Sequence, residues 1–186
     1  MSFPSRAEAL VVLQEHTRGE SLLKHAYAVE AAMRLYASHF GEDAERWGVA
    51  GLLHDFDYER YPSLDDHPFK GAEILRARGY DADLIDTILS HADHTGVPRT
   101  TRMQKTLFAV DELCGFVTAV TLVRPSKKID EVEPSSVKKK LKDKGFARNV
   151  SREDIAQGAE LIDIPLDAHI QNVITAMRGI ASELGL

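Results

Sequence analysis

The sequence feature that most restricts the fold is a long, mostly apolar segment at residues 103–123. Strands in globular proteins rarely exceed about ten residues, so a segment of this length predicts a buried helix. Its second half, residues 117–123, is rich in β-branched side chains, which leaves a strand as the alternative there. Pro125 is expected to end the element.

Apolar residues recur at helical spacing along most of the remaining chain. Ser21 is a candidate N-cap for a long helix that runs towards His39, and Gly41 is expected to end it. Asp66 is a candidate cap for a helix that ends before Gly79. Because no strongly alternating strand pattern is present, the fold is predicted to be all-α. Further helices are predicted at residues 44–54 and 82–91, from Ser135 or Ser136 to Gly145, after Ser151, and from about Pro165 to about Leu184.

Composition restricts the class of protein further. Of the 186 residues, 44% are hydrophobic and 28% are charged, which is ordinary for a globular domain. No apolar run approaches the roughly 20 residues that span a bilayer, and no signal-peptide core is present, so no membrane association is expected. The one cysteine, Cys114, excludes an intrachain disulfide and favours a cytoplasmic location. The net charge of −6 argues against general nucleic-acid binding.

Charge is unevenly distributed along the chain. Residues 124–148 contain nine basic and four acidic side chains and carry a charge of +5, whereas the remainder carries −11. A solvated helix face explains most segments of this kind, and it is the favoured interpretation here. The alternative is that part of the segment faces an anionic substrate.

Four polar residues stand out because they lie in apolar helical contexts. His25 lies on the apolar face of its predicted helix, and His54 and Asp55 end an apolar one. Asp111 interrupts the apolar run at residues 107–110. A buried carboxylate without a partner is costly, so Asp111 needs a cation, a hydrogen-bond network or contact with water. Each residue alone has an ordinary structural explanation, but one divalent cation would satisfy all four.

In this order, His25, the His54–Asp55 pair and Asp111 resemble the H…HD…D pattern of the HD-domain metal-dependent phosphohydrolase superfamily. The pair lies in the sequence Ala-Gly-Leu-Leu-His-Asp at residues 50–55, close to the family's usual form. The resemblance implies an HD-domain-like helical bundle in which these four residues are the primary metal ligands. Residues 1–186 would then form a single domain, with a core at about 20–123 and a C-terminal helical extension at 124–186. The extension is interpreted as extra packing on the core, rather than as a lid or a dimerisation element.

A second metal site is also implied by the resemblance. The segment from His67 to residue 72, His-Pro-Phe-Lys-Gly-Ala, is similar to the H-P-x-x-G-A segment of HD subfamilies with two metals. His91 resembles the next histidine of those subfamilies, and Asp55 would bridge the two ions. The alternative is a single ion, with His67 as a capping or surface residue. His94 is not expected to be a ligand, because Gly96 and Pro98 predict that the helix ends before it.

The function implied by the resemblance is hydrolysis of a phosphomonoester or phosphodiester by a metal-activated water. The substrate would be a small phosphorylated molecule, with nucleotides among the candidates. The cofactor would be one or two divalent ions of iron, manganese, cobalt, nickel, zinc or magnesium. Asp55 and Lys70 are the predicted catalytic residues; Lys70, near His67, would neutralise the phosphate. A homo-oligomer is compatible with the sequence. The alternatives are a di-iron oxygenase of HD type and a non-catalytic metal- or nucleotide-binding regulatory module.

The remaining candidates are given structural interpretations. His16, His39 and His169 lie outside the pattern and are expected at the surface or half-buried. Asp57 and Glu59 follow the His54–Asp55 pair closely, and either one could orient a water or carry a proton. Both are interpreted instead as solvated loop carboxylates. Cys114 is expected to be a small core residue.

Overall fold

The computed structural model describes residues 2–186, and within them the chain is all-α, as predicted. Two short 3₁₀ turns, at Asp93–Thr95 and Ile129–Glu131, join longer elements. No helix of the described part is long and apolar enough to cross a membrane. The helices are α1 (Arg6–His16), α2 (Glu20–Phe40), α3 (Ala44–Leu53), α4 (Phe69–Ala77), α5 (Ala82–Ser90), α6 (Arg102–Leu122), α7 (Pro134–Leu141), α8 (Arg152–Leu161), α9 (Leu166–Arg178) and α10 (Ala181–Leu184).

The apolar segment that predicted a buried helix forms α6, and the strand alternative for its second half is wrong. Two of the β-branched residues there are accommodated by hydrogen bonds within the helix. The hydroxyl of Thr118 donates to the carbonyl of Cys114 at 3.0 Å, and that of Thr121 donates to the carbonyl of Val117 at 2.8 Å. Packing of α6 against α2, α8 and α9 outweighs the modest strand propensity of these residues.

Several predicted helix boundaries are confirmed. Gly41 ends α2 in the left-handed conformation, with a φ of 72°. Ser151 caps α8, because its hydroxyl accepts a hydrogen bond from the backbone N–H of Asp154 at 3.1 Å. Gly79, with a φ of 74°, follows the end of α4. At these positions the local sequence is sufficient, because the cap residue itself makes the terminal contact.

Other predicted caps are wrong. Helix α2 begins at Glu20, with Gly19 rather than Ser21 at its N-cap. The carboxylate of Asp66 accepts from the hydroxyl of Ser63 at 2.8 Å instead of capping α4, which begins at Phe69.

Two predicted helices of the C-terminal extension also differ. The basic helix α7 begins at Pro134, before Ser135, and ends at Leu141 rather than at Gly145. The last predicted helix is divided into α9 and α10, because the backbone leaves the helical conformation at Ile180, which has a φ of −127°. At both ends the backbone hydrogen bonds are local: the N–H of Lys142 bonds to the carbonyl of Lys140, and that of Ile180 bonds to the carbonyl of Met177.

Two hydrophobic clusters form the core, and α2 contributes residues to both. One joins α2 and α6 to the helices of the C-terminal extension, and the other joins α1, α3, α4 and α5. Glycines allow close helix crossings at two places. A Cβ at Gly51 would lie 2.9 Å from the carbonyl oxygen of Val29, and one at Gly158 would lie 2.6 Å from the Cα of Ala109. The first crossing holds the end of α3 against α2, and the second holds α8 against α6, which itself contacts α2.

Candidate metal centre

The six predicted metal ligands converge where these helices meet. His25 lies on α2, His54 and Asp55 follow the last turn of α3, and Asp111 lies in the middle of α6. His67 is in the loop before α4, and His91 follows the end of α5. Because His25 and Asp111 are 86 residues apart in sequence, only the folded chain brings them together.

The ligands form two groups that share Asp55. In the first group, atoms of His25, His54 and Asp55 lie within 4.8 Å of one another, and in the second, atoms of Asp55, His67 and His91 do so. One oxygen of Asp55, Oδ2, lies 3.4 Å from His54 Nε2. The other, Oδ1, lies 3.2 Å from His67 Nε2 and 3.4 Å from His91 Nε2. The two oxygens of one carboxylate therefore face different histidines.

Asp111 completes the first group. Its Oδ1 lies 2.9 Å from His25 Nε2 and 3.4 Å from His54 Nε2. The two ring nitrogens of His25 and His54 are themselves only 3.2 Å apart. Two imidazole lone pairs this close repel each other unless a proton or a cation lies between them. The donor set thus fits a borderline or harder divalent metal ion.

Hydrogen bonds orient the histidines towards the cluster. The Nδ1–H of His54 donates to the carbonyl of Gly51 at 2.7 Å, and that of His91 donates to the carbonyl of Ile88 at 2.6 Å. The Nδ1–H of His67 donates to Oδ1 of Asp57 at 2.8 Å. In each ring Nε2 is left to face the other ligands. Metal-binding histidines usually have this outer hydrogen bond, which fixes the ring orientation and the tautomer.

The electrostatics of the cluster favour positive charge. Burial lowers the pKa of His54, but the charges of Asp55 and Asp111 raise it well above its usual value. Burial raises the pKa of these two carboxyls, but the charge of His54 lowers both well below the usual range. For His67, burial is outweighed by hydrogen bonds with Asp55 and Asp57, which raise its pKa to about 9. A divalent cation would supply the positive charge that these carboxylates stabilise.

Asp57 is the residue that the sequence interpretation missed. It is fully buried, not solvated, and its second oxygen accepts from the backbone N–H of Gly71 at 2.7 Å. A Cβ at Gly71 would lie 2.8 Å from the Asp57 carboxyl carbon, so only glycine permits this approach. The nearby H-P-x-x-G-A segment was the available signal, because it predicts a ligand histidine that needs an oriented ring.

The other loop carboxylate, Glu59, is exposed as expected. Its Oε2 accepts from the backbone N–H groups of Arg18 and Gly19, at 2.7 and 2.9 Å. Glu59 therefore stabilises the start of α2 and has no contact with the cluster.

The remaining candidates lie outside the cluster. His94 is in the first 3₁₀ turn, where its Nε2 bonds to the carbonyl of His67 at 2.8 Å. The expectation for His169 is wrong, because this residue is fully buried between Tyr36 Oη, at 2.6 Å, and the carbonyl of Ala109, at 2.9 Å. Cys114 is buried in the core, as expected.

The structure does not bring the predicted cationic residues to the cluster. Lys70 pairs with Glu73 at 2.9 Å on an exposed face of α4 and does not line the cavity described below. Arg124 pairs with Glu131 at 3.7 Å, also away from the cavity. A catalytic role for Lys70 stays a prediction.

A cavity of about 500 Å³ lies over the ligand cluster, and we call it the metal cavity. Among the residues that the structure describes, no lysine or arginine lines it. Burial and the charge of neighbouring Asp111 raise the pKa of Glu112, in its wall, to about 7. Asp154 belongs to α8, so the C-terminal extension supplies part of the wall. The carboxylates in the wall are Asp55, Asp93, Asp111, Glu112 and Asp154.

Comparison with known families agrees with this geometry. A model of the HD domain matches residues 22–114, which is half of the chain. The chain belongs to the HD-domain family. All six predicted ligands fall within the matched segment, and the resemblance inferred from the sequence is confirmed.

Several ribonuclease Y proteins are similar to this HD domain. That of Thermosipho melanesiensis is 35% identical over 77 residues, which is 39% of this chain and 14% of that protein. That of Mycoplasma mycoides is 38% identical over 77 residues, covering 39% and 18% of the two chains. That of Oleidesulfovibrio alaskensis is 29% identical over 97 residues, covering 52% and 18%. The chain thus spans less than a fifth of the length of these relatives. No solved structure shows a significant match to it.

Proposed function

We propose that this HD domain is a phosphoester hydrolase that holds two divalent cations, with Asp55 as the bridging ligand. The observation that carries the proposal is the position of Asp55, whose two oxygens face different groups of histidines. His25, His54 and Asp111 would complete one site, and His67 and His91 the other. When bound, divalent cations neutralise phosphate charge and lower the pKa of a coordinated water from 15.7 towards about 7.

The charge of the metal cavity determines how a phosphate could enter it. Five carboxylates in its wall would repel an anionic substrate, and no lysine or arginine of the described residues offsets them. Phosphate binding therefore depends on the cations themselves. We expect chelation to abolish substrate binding as well as turnover.

The protein side chains have separate tasks in this proposal. His54 and His91 are held by backbone carbonyls, and His67 by Asp57, so the three rings keep fixed orientations. Asp55, which both groups of ligands share, would hold both cations. Glu112 lies in the cavity wall beside Asp111, and its carboxyl group is a candidate to exchange a proton with the leaving group.

The site and the relatives together support a phosphoester as the class of substrate. The similarity to proteins named ribonuclease Y supports a phosphoester substrate at a coarse level. A cavity of about 500 Å³ suits a small phosphorylated molecule such as a nucleotide. Both phosphomonoesters and phosphodiesters belong in the assay.

The test combines metal analysis with a phosphoester screen on wild type, His54→Ala and Asp55→Ala. We expect about two ions per wild-type chain and fewer in both variants. In both variants kcat/KM should fall about 10²–10³-fold, because divalent cations stabilise the transition state of such reactions by several kcal/mol. His39→Ala is the matched control, because His39 is exposed and outside the cluster.

Three results would contradict the proposal. Retained metal and activity in both ligand variants would exclude the assigned site. Two iron ions with oxygen consumption and no phosphoester hydrolysis would favour the oxygenase alternative. Bound metal with no turnover of any phosphoester would favour a regulatory module.

A further inference from the structure

One glycine near the metal cavity has no structural explanation in the packing. Gly115 lies in the middle of α6, one turn after Asp111, and a Cβ added there would meet no atom within 4 Å. The other glycines inside helices are different, because a Cβ at any of them would lie within 3.0 Å of a neighbouring atom. The closest distances are 2.6 Å at Gly48, 2.9 Å at Gly51, 2.8 Å at Gly71 and 2.6 Å at Gly158.

Glycine inside a helix is unfavourable compared with alanine, because it loses more backbone freedom on folding. At the close helix crossings this cost is offset by the packing that only glycine allows. At Gly115 no protein atom uses the space. The φ of Gly115 is not positive either, so its conformation does not require glycine.

Gly115 lies in the wall of two cavities. One is the metal cavity, and the other is a cavity of about 590 Å³, here called the second cavity, between α2, α6 and the C-terminal residues. His25 is the other residue that lines both. The two cavities therefore adjoin at Gly115 and at a predicted metal ligand.

The chemistry of the second cavity differs from that of the metal cavity. Leu122, which is 48% exposed, lines it together with Leu184 and the hydroxyl-bearing Thr118. The charged side chains of Lys24 and Glu20 in its wall pair with each other at 2.7 Å. An uncharged, mostly apolar group is the ligand that such a surface binds best.

We infer that the second cavity binds the organic group of the phosphoester whose phosphate lies in the metal cavity, and that Gly115 keeps the passage between the two open. This inference rests on the proposed function. It makes Gly115 a specificity-determining residue that favours esters with a bulky, apolar organic group.

The test uses two phosphonates, which contain a carbon–phosphorus bond in place of the ester and are not expected to be hydrolysed. Methylphosphonate fits the metal cavity alone, whereas 1-naphthylphosphonate adds an apolar group for the second cavity. Their affinities for the Mn²⁺-loaded protein are measured by calorimetry. We expect the wild type to bind 1-naphthylphosphonate at least about tenfold more tightly than methylphosphonate, because the ring system is removed from water.

The variant Gly115→Leu places a side chain in the passage and should reduce this affinity ratio about tenfold. The ratio cancels any change in metal binding, which affects both phosphonates. Ala77→Leu, on an exposed part of α4 that lines neither cavity, is the matched control and should keep the wild-type ratio.

Two further variants keep the test informative if Gly115→Leu does not fold. Thr118→Phe narrows the second cavity from the same helix and should also reduce the ratio. Gly115→Ala should raise the Tm of the metal-free protein by about 2 °C, since the helix gains a better helix former without a clash. A clear fall in Tm would give Gly115 a packing role and overturn the inference.

The outcomes separate this inference from the proposed function. If neither phosphonate binds the wild type, the proposed function fails. If both bind with equal affinity, or if Gly115→Leu and Thr118→Phe both keep the wild-type ratio, only the role of the second cavity is overturned.

Discussion

Asp57 offers the sharpest test of how the metal centre is built, because both of its oxygens are used. Oδ1 accepts from the Nδ1–H of His67 at 2.8 Å, and Oδ2 accepts from the backbone N–H of Gly71 at 2.7 Å. The amide of Asp57→Asn has one acceptor oxygen, so one of the two donors loses its partner. We predict weaker binding of one metal ion and a less stable fold.

The size of both effects follows from these two hydrogen bonds. Removing the outer partner of a metal-binding histidine typically reduces metal affinity about 10–100-fold, or about 1.4–2.7 kcal/mol. A buried donor left without a partner costs about 1–3 kcal/mol of the free energy of unfolding. Because Asp57 has no exposed surface, water cannot replace the lost partner.

The assay is a calorimetric titration of metal-free protein with Mn²⁺, together with urea denaturation. In Asp57→Asn, the binding constant of the site that contains His67 should fall about 10–100-fold, while the other changes little. Glu59→Gln is the matched control, because Glu59 comes from the same loop but bonds only to backbone N–H groups at the start of α2. Unchanged Mn²⁺ binding in a folded Asp57→Asn protein would refute the orienting role of Asp57.

Two further predictions concern the packing of the C-terminal extension. Burial lowers the pKa of His169 to about 4 from a usual value of 6.5. As the pH falls, this imidazole is therefore protonated in the unfolded chain before it is protonated in the folded protein. The stabilisation from neutral His169 should be complete above pH 6.5 and decrease by up to about 3 kcal/mol towards pH 4. Urea denaturation across this range should show a smaller decrease for His169→Gln, and equal decreases would exclude the assignment. Gly158→Ala should lower the free energy of unfolding by about 1–3 kcal/mol, because the added Cβ would lie 2.6 Å from the Cα of Ala109. Urea denaturation measures this change, and an unchanged midpoint would show that the crossing of α6 and α8 adjusts freely.

Much of this HD domain could be predicted from local sequence. The all-α fold follows from helical periodicity and from the absence of alternation, both of which depend on near neighbours. The ligand candidates were recognisable because His25, His54 and Asp111 are polar residues in apolar helical contexts. Their order along the chain then pointed to the family without any knowledge of how the helices pack.

The tertiary structure decided what the side chains contact. Asp57 and Glu59 are two residues apart and equivalent in local sequence, yet one orients His67 and the other stabilises the start of α2. Lys70 follows His67 closely in sequence but points to a different surface. In each case the contact depends on how helices cross, which residues distant in sequence determine.

The two helix glycines Gly158 and Gly115 illustrate the same division. The sequence predicts that each weakens its helix, since that cost is local. Only the folded chain shows that Ala109 fills the space at Gly158, whereas the space at Gly115 opens between two cavities. The sequence by itself therefore determined the fold class and the ligand types, while the helix crossings decided the orientation of each ligand and the shape of the space around the site.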